Sequence, residues 1–512
     1  MEREKAVVEA LVVLDHRIVF AGSAADAAKF PVRETVDLEG AAVLPGFIDT
    51  HCHMAEMAEG PLKVDLFQAN CADDVIHLLI QKKKDAGPGE WIIGCNLEGG
   101  RMREKRLPNR CDLDKVSTGI PVFVSEIGLH SFMCNSKVLE LAGISKGFSK
   151  KWSELLETDE NGAPTGVLAE HGMLAYINPL RPVPYGSYEG AVDALYQSLF
   201  TCSKWGYTTL HTYDGFSLSV LDRISAYQDL RRRNKLPMRM IVHRTCGTDN
   251  ELLAVSRLGD EHIKYGSVKF FADGTYIEHT AFLTEPYEDR PDTLGRLIHK
   301  PEVLKAMVKK AYDKGNDVAI HVIGDGAADL AIRIFEEIYN PANPGIFTLI
   351  HCHLLSPEMR ERMAKLPVIA AMQPVFVNNL STATIETRIG KERAKDFHAF
   401  GSALKAGVLV AGGTDGPISN QDPLFGISKA VNRFDCFGRV FQPQERLSVY
   451  DAVGLYTKNA AHCAGEDGIK GTLEAGKLAD FIVLDKDIFE VEPSEIETVR
   501  VTATYLGGDR TF

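Results

Sequence analysis

The chain has no segment that approaches 18 uninterrupted apolar residues, so no stretch reads as a membrane span. Its ten cysteines include no C-x-x-C pair and keep no regular spacing. A disulfide framework is therefore not expected, and reduced thiols in a cytoplasm fit better. Excess positive charge is missing as well: 57 Lys and Arg stand against 70 Asp and Glu, a formal net charge of −13. Nucleic acid and anionic membrane surfaces need clustered positive charge, so the expected partner is a small molecule. There is neither a tandem repeat nor a low-complexity tract. In the opening stretch MEREKAVVEALVVLDH, Glu9 interrupts the apolar run and no small-residue cleavage site follows, so it reads as mature protein.

What is present is an ordinary globular balance, 45% hydrophobic and 25% charged, spread over 512 residues. That length exceeds one ordinary core and predicts a large domain with attachments. From about residue 200 onward, short β-type runs alternate with amphipathic helical stretches, the pattern of βα units. The runs are YTTLHTY, MRMIVHR, GSVKFFA, DVAIHVI, FTLIHCH, VIAAMQ and VLVAGGT, and GFIDTHC at 46–52 makes an eighth. Eight such strands are the count for an α/β fold of the (β/α)8 TIM barrel type. The gap at 54–206 is too long for one crossover and predicts an inserted α/β subdomain. Residues 1–44 and 471–512 are both short β-type runs broken by Gly, Pro and Asp, and together predict a small β-sandwich. The barrel would then comprise 45–53 and 207–470.

Two histidines one residue apart, His51 and His53, close PGFIDTHCHM. Sixteen His in this length would give roughly half an H-x-H by chance, so the pair needs support. Strand alternation predicts Phe47, Asp49, His51 and His53 on one face, with Ile48, Thr50, Cys52 and Met54 on the other. The polar face should look inward, and the pair falls at the C-terminal strand end, where barrel active sites form. Other runs end alike: DVAIHVI with His321, FTLIHCH with His351 and His353, and VLVAGGTD with Asp415. Such a rim of His and Asp predicts a metal site. Lys269 in GSVKFFADG lies inward on the fourth strand. A buried ammonium needs a carboxylate, Asp273 or Glu278 being nearest in sequence, or takes a lowered pKa and can form a carbamate.

The segments PGFIDTHCHM, VKFFADGT, AIHVIGDGAADLA, IHCHLLSPE and GGTDGP, in this order, resemble the amidohydrolase superfamily of metal-dependent hydrolases. The arrangement is most similar to the amidohydrolase family 3 branch typified by N-substituted formamide deformylase, and the resemblance covers nearly the whole chain. It implies that His51, His53 and Asp415 bind a first metal, and that Lys269 as N6-carboxylysine bridges to a second held by His321 and His351. Zinc is the implied ion, with manganese, iron or cobalt as alternatives, in one or two copies. The implied reaction is attack of a metal-bound hydroxide on a C–N bond of an amide, formamide or cyclic amide, with Asp415 as general base. Asp49, His211 and His353 could orient ligands or substrate, and His130 aligns with a substrate-side His. The resemblance also implies a homodimer.

The match breaks where substrate would lie. Ile350 replaces a common acid, His353 a common Gln and Gly326 a usual Arg, while Thr275–Ala281 is bulkier than usual and brings Tyr276, Glu278 and His279. A deaminase on the same barrel would carry His-x-x-Glu, but His321 is followed by Val322, Ile323 and Gly324. A non-catalytic scaffold would be expected to have lost ligands, and this chain keeps the full set.

Overall fold

The computed structural model describes residues 7–84, 90–126, 128, 130–151, 153–169, 174–182, 187–214, 220–245, 255–378 and 382–512. These fall into two compact units, one formed by residues up to Met54 and from Tyr196 onward, the other by Ala55–Leu195.

The first unit is built on eight strands: β1 (Phe47–Cys52), β2 (Tyr207–Thr212), β3 (Arg239–Thr245), β4 (Ile263–Phe271), β5 (Val318–Val322), β6 (Phe347–His351), β7 (Val368–Met372) and β8 (Leu409–Gly412). They pair in chain order, every neighbour parallel. The sheet closes on itself where the Thr50 hydroxyl donates to the Gly412 carbonyl at 2.9 Å. Just beyond, Asp415 N donates to His51 O at 2.6 Å and His53 N to Gly416 O at 2.7 Å. This is the TIM barrel that the alternating pattern predicts. Both faces of each strand must be covered, which is why the runs are almost continuously apolar. Inside, Tyr213, Ala319, Ile350 and Ala371 meet across the barrel. Outside, Phe347 packs on Tyr312 and Phe335, at 4.7 and 4.2 Å between ring centroids, from helices α1 (Pro301–Asp313) and α2 (Asp325–Ile338).

The floor of the barrel is apolar at its centre, where Ile48, Ile369 and Ala411 pack on Ala460, Ala461 and Cys463. Around that centre lie buried charges, each with a partner. Lys470 bonds Thr209 at 3.0 Å and Glu466 at 2.6 Å. Arg239 grips Asp480 with two hydrogen bonds of 2.7 and 2.9 Å. The same Asp480 carboxylate accepts Gly507 N at 2.8 Å, so one buried pair fastens the barrel to the C-terminal strands.

Those strands, Phe481–Leu484, Val501–Leu506 and Asp509–Arg510, form an antiparallel sheet with Ala42–Pro45. The hairpin Ala10–Leu14 with Arg17–Gly22 meets the other chain end through Ile18 N to Lys477 O at 2.9 Å. The second unit is a six-stranded mixed sheet whose core includes Leu66, Val75, Leu79, Ile92, Val122 and Val124. It contains the runs WIIGCNL and PVFVSEI and the strand Pro164–Ala169; Ile127 and Glu170 lie outside the described residues.

Simple alternation along β1 fails. Ile48 packs inside, paired with Thr209, so Asp49, the next residue and paired with Leu210, points to the other face. Between the pairs Leu210↔Asp49 and Thr212↔Cys52, two residues of β1, Thr50 and His51, face the single residue His211. This bulge re-aims the strand end, the usual service of a bulge at a barrel rim. The expectation that Phe47, Asp49, His51 and His53 share one face is therefore corrected: Ile48 faces inward, Asp49 does not, and the bulge brings His51 and His53 back to the inward face.

Removing one partner of the Arg239–Asp480 pair strands the other charge in the interior. Arg239→Ala should destabilise the first unit by about 3–5 kcal/mol, read as a lowered urea midpoint.

Candidate metal centre

The site is assembled where β1 meets the segment after β8. Asp49 sews the two together: its carboxylate accepts His51 N and Thr414 N, each at 3.0 Å, and the Thr414 hydroxyl. Burial pushes the Asp49 carboxyl up to about 7, against those hydrogen bonds. Its task is to fix the backbone that carries His51 and Asp415. Asp415 itself has φ +60°. On β6, Ile350 faces into the barrel, so alternation would turn His351 outward, but a left-handed φ of +75° swings it back. Non-glycine residues in this conformation cost roughly 1–3 kcal/mol and persist where their surroundings over-determine them. For His351 that surrounding group is Gln373, whose Oε1 accepts Nδ1–H at 2.9 Å.

The ring nitrogens converge on one carboxylate. His51 Nε2 lies 3.2 Å and His53 Nε2 3.0 Å from Asp415 Oδ1. His51, His351 and Asp415 each offer a ligand atom within 4.8 Å of the others. His53 Nδ1 lies 3.3 Å from the Tyr213 carbonyl, which can only accept, so Nδ1 carries the hydrogen and the Nε2 lone pair faces the carboxylate. Lone pairs of nitrogen and oxygen turned toward one point are satisfied by a cation. His51 Nδ1 is buried without a hydrogen-bond partner among the described residues. The donor set, neutral imidazoles with an ionised carboxylate, is the state that binds a divalent ion. Burial, then Lys269, holds His51 down to about 3, and burial holds His351 well below the usual imidazole range. Burial alone would raise Asp415, but His51, by charge and by hydrogen bond, is the main cause that holds its carboxyl well below the usual range.

Lys269 is 2% exposed and makes no salt bridge among the described residues. Its ammonium lies 5.2 Å from the Tyr213 ring centroid and 5.0 Å from that of Phe271. Burial holds it down to about 7. Neither carboxylate considered from the sequence reaches it. Asp273 lies 3.3 Å from His321 Nδ1 and accepts Ile323 N at 3.1 Å and Gly324 N at 2.8 Å, so it orients His321 instead. Glu278 accepts the Thr275 hydroxyl.

The six residues expected to bind metal thus lie at one end of one barrel, but the tightest group pairs His51 and Asp415 with His351. His321 adjoins it, its ring 4.7 Å from that of His351. Of the residues expected toward substrate, His353 is closest to this group, its ring 5.7 Å from His351, with Tyr276 at 6.1 Å from His353. The Tyr276 hydroxyl donates to Ile323 O at 3.1 Å. His279 is engaged with both oxygens of Asp289 at 3.1 Å. His130 lies in the second unit, buried at the start of Ser131–Cys134. His211 is paired with His243 at 3.1 Å and lies in the barrel wall. Where a usual Arg is replaced by Gly326, Phe282 occupies the space, 2.8 Å from a Cβ placed there.

Two further contributors are Gln373, which sets His351, and Tyr213, whose ring lies tilted against that of His51 with centroids 4.4 Å apart and whose carbonyl holds His53. Both were within reach of register: Gln373 continues the inward set Ile369, Ala371, and Tyr213 follows His211 by two.

Comparison with known proteins gives one consistent result. The sequence profile of the amidohydrolase family matches residues 34–512. The Bacillus subtilis (strain 168) protein YtcJ is 32% identical over 487 residues, 93% of this chain and 90% of that one. N-substituted formamide deformylase of Arthrobacter pascens is 25% identical over 527 residues, 99% and 95% of the two chains. The crystal structure of a metal-dependent hydrolase from Pyrococcus horikoshii OT3 superposes with a TM-score of 0.76 at 28% identity, covering 95% of each chain.

Two measurements follow. Gln373→Leu leaves the His351 ring unheld and should weaken affinity for zinc about 10–100-fold, read by equilibrium dialysis against a metal buffer. In metal-free protein, Lys269 has a pKa of about 7 folded against 10.5 as the ordinary value. Its destabilising effect is full below pH 7 and fades as pH rises toward 10.5, because only the unfolded chain holds the proton in that window. Lys269→Met should therefore raise the Tm at pH 6 and change it little at pH 10, by calorimetry after chelation.

Proposed function

We propose that this chain, which belongs to the amidohydrolase family, hydrolyses a C–N bond of an amide, formamide or cyclic amide in a small molecule. It is a metal-dependent hydrolase by family and by its solved relatives; the bond and the residue roles are our reading. The observation that carries it is the convergence of His51, His351 and Asp415 within 4.8 Å, with His53 on the same carboxylate.

His51, His53, His321, His351 and Asp415 would hold one or two ions, zinc by the character of the donors. A bound ion supplies Lewis acidity toward a carbonyl oxygen and toward water. The protein does the rest. Held ionised among imidazoles, Asp415 is in the form that accepts a proton at Oδ, and it would return that proton to the leaving nitrogen. Lys269, with its ammonium held down to about 7, is neutral in a large fraction of molecules at neutral pH. A neutral amine is the form that adds to carbon dioxide, releasing a proton to solvent, so a carbamate at Lys269 that would add an oxygen donor to the metal-holding set is part of the proposal. Tyr213 and Phe271 wall the amine off from bulk water.

The deaminase reading needs an acid after β5, and the position three residues beyond His321 has no room for one. A Cβ on Gly324 would meet the Phe282 carbonyl oxygen at 2.0 Å.

The test is turnover of a panel of N-acyl, N-formyl and cyclic amides by metal-loaded enzyme. At least one should be hydrolysed, with loss on chelation. Asp415→Asn should then lower kcat about 100- to 10,000-fold even when assayed at zinc concentrations that restore its metal content, checked by mass spectrometry, to that of the wild type. Unchanged turnover in the variant removes Asp415 as base, and ammonia release from aminated heterocycles in place of amide hydrolysis overturns the reading.

A further inference from the structure

Next to the metal centre lies a second group of buried polar side chains whose hydrogen-bonding capacity is unused. His353, His398 and Arg433 are 6%, 1% and 0% exposed. Both ring nitrogens of His353, both of His398 and Nη2 of Arg433 find no hydrogen-bond partner among the described residues. Buried polar atoms are nearly always paired, so five open ones in one cluster ask for a ligand.

The cluster is built: the main chains of His353 and His398 are bonded to each other, and the Arg433 side chain is held by two backbone carbonyls. His398 N donates to the His353 carbonyl at 2.7 Å, and the two rings stand edge to face with centroids 4.6 Å apart. Arg433 Nη1 donates to the His398 carbonyl at 3.1 Å and Nε to the Phe441 carbonyl at 3.0 Å. Its guanidinium is sandwiched between Phe400 and Phe441, at 5.1 and 5.6 Å from their ring centroids. The acid beside Arg433, Glu445, is occupied by Ser402, whose amide and hydroxyl both donate to it. Aromatic rings of Tyr276, Phe376 and Phe397 surround His353 at 6.1, 5.6 and 5.4 Å.

A neutral imidazole carries one N–H donor, and the free Nη2 carries more. The cluster therefore presents a donor from each of three side chains, in aromatic surroundings, beginning 5.7 Å from the His351 ring. A carboxylate accepts several such bonds and prefers charge-assisted ones from a guanidinium. We infer that His353, His398 and Arg433 form an anion subsite that takes a carboxylate on the substrate, so that the enzyme acts on amides bearing a carboxylate group. The inference rests on the amide-hydrolase reading for what happens at His351. It adds two residues, His398 and Arg433, that no sequence motif pointed to.

The probe is benzoate against benzamide, titrated calorimetrically into the full-length chain after exhaustive chelation, so that coordination to metal cannot contribute. Benzoate should bind at least about tenfold tighter than benzamide. His398→Phe and His353→Phe should each weaken benzoate about tenfold or more and leave benzamide unchanged. In the loaded enzyme, the same variants should raise KM for a carboxylate-bearing amide far more than for its neutral analogue, with kcat moved less. If Arg433→Met fails to fold, the two histidine variants decide the matter. Equal binding of benzoate and benzamide, benzoate binding only after metal is restored, or unaltered benzoate binding in both histidine variants would overturn the subsite. Hydrolysis of neutral amides without benzoate binding removes this inference alone. Benzoate binding as expected, with no C–N bond of any panel member cleaved, removes the amide-hydrolase reading and leaves an anion site.

Discussion

The barrel closes through residues of the candidate metal centre. A (β/α)8 sheet is stable only when its first and last strands meet, because an open edge leaves a column of unpaired amides and carbonyls. Here the meeting is made by Asp415 N on His51 O, His53 N on Gly416 O and the Asp49 carboxylate on Thr414. His51, His53 and Asp415 are thus fixed by the bonds that shut the barrel. Positioning to within a few tenths of an ångström, which a metal demands, comes from closure and needs no separate scaffold.

That coupling also explains why strain gathers at the seam. Strand alternation gives each side chain only two directions, inward or outward, and a compact metal site needs more. The bulge at Thr50–His51 and the left-handed φ values of His351 and Asp415 supply the extra directions. Gln373 and Asp49 then hold the re-aimed residues from behind, through the His351 ring and the Asp415 backbone. These three departures from regular strand geometry fall on residues of the candidate metal centre or beside them.

The same departures set the limit on what could be read from the sequence. The eight strands are legible because each is a short run of apolar and β-branched residues bounded by turn formers, and a parallel barrel demands that. The ligand set is legible because His and Asp recur where those runs end. What alternation mis-assigns is the face of Asp49 and the route by which His351 enters the barrel, since a bulge and a positive φ at a non-glycine residue leave no local sequence mark. Lys269 illustrates the other limit. Its burial follows from strand parity, but whether Asp273 pairs with it depends on where β5 ends, and there His321 and two backbone amides claim that carboxylate first.

The distribution of buried charge argues that the open end of the barrel is made for anions and cations together. Among the described residues Asp415 is the one carboxylate set directly among His51, His53 and His351, while Lys269 lies close by and Arg433 lies beyond His353 and His398. A divalent ion would add to that positive field. An ordinary interior answers each buried cation with a carboxylate, as the floor does with Arg239 and Asp480 or Lys470 and Glu466. The contrast between a floor whose cations are matched and a rim where Arg433 makes no salt bridge among the described residues is a division of labour. The floor fastens the fold, and the rim, on the proposed reading, would receive a metal ion at Asp415 and a substrate carboxylate at Arg433.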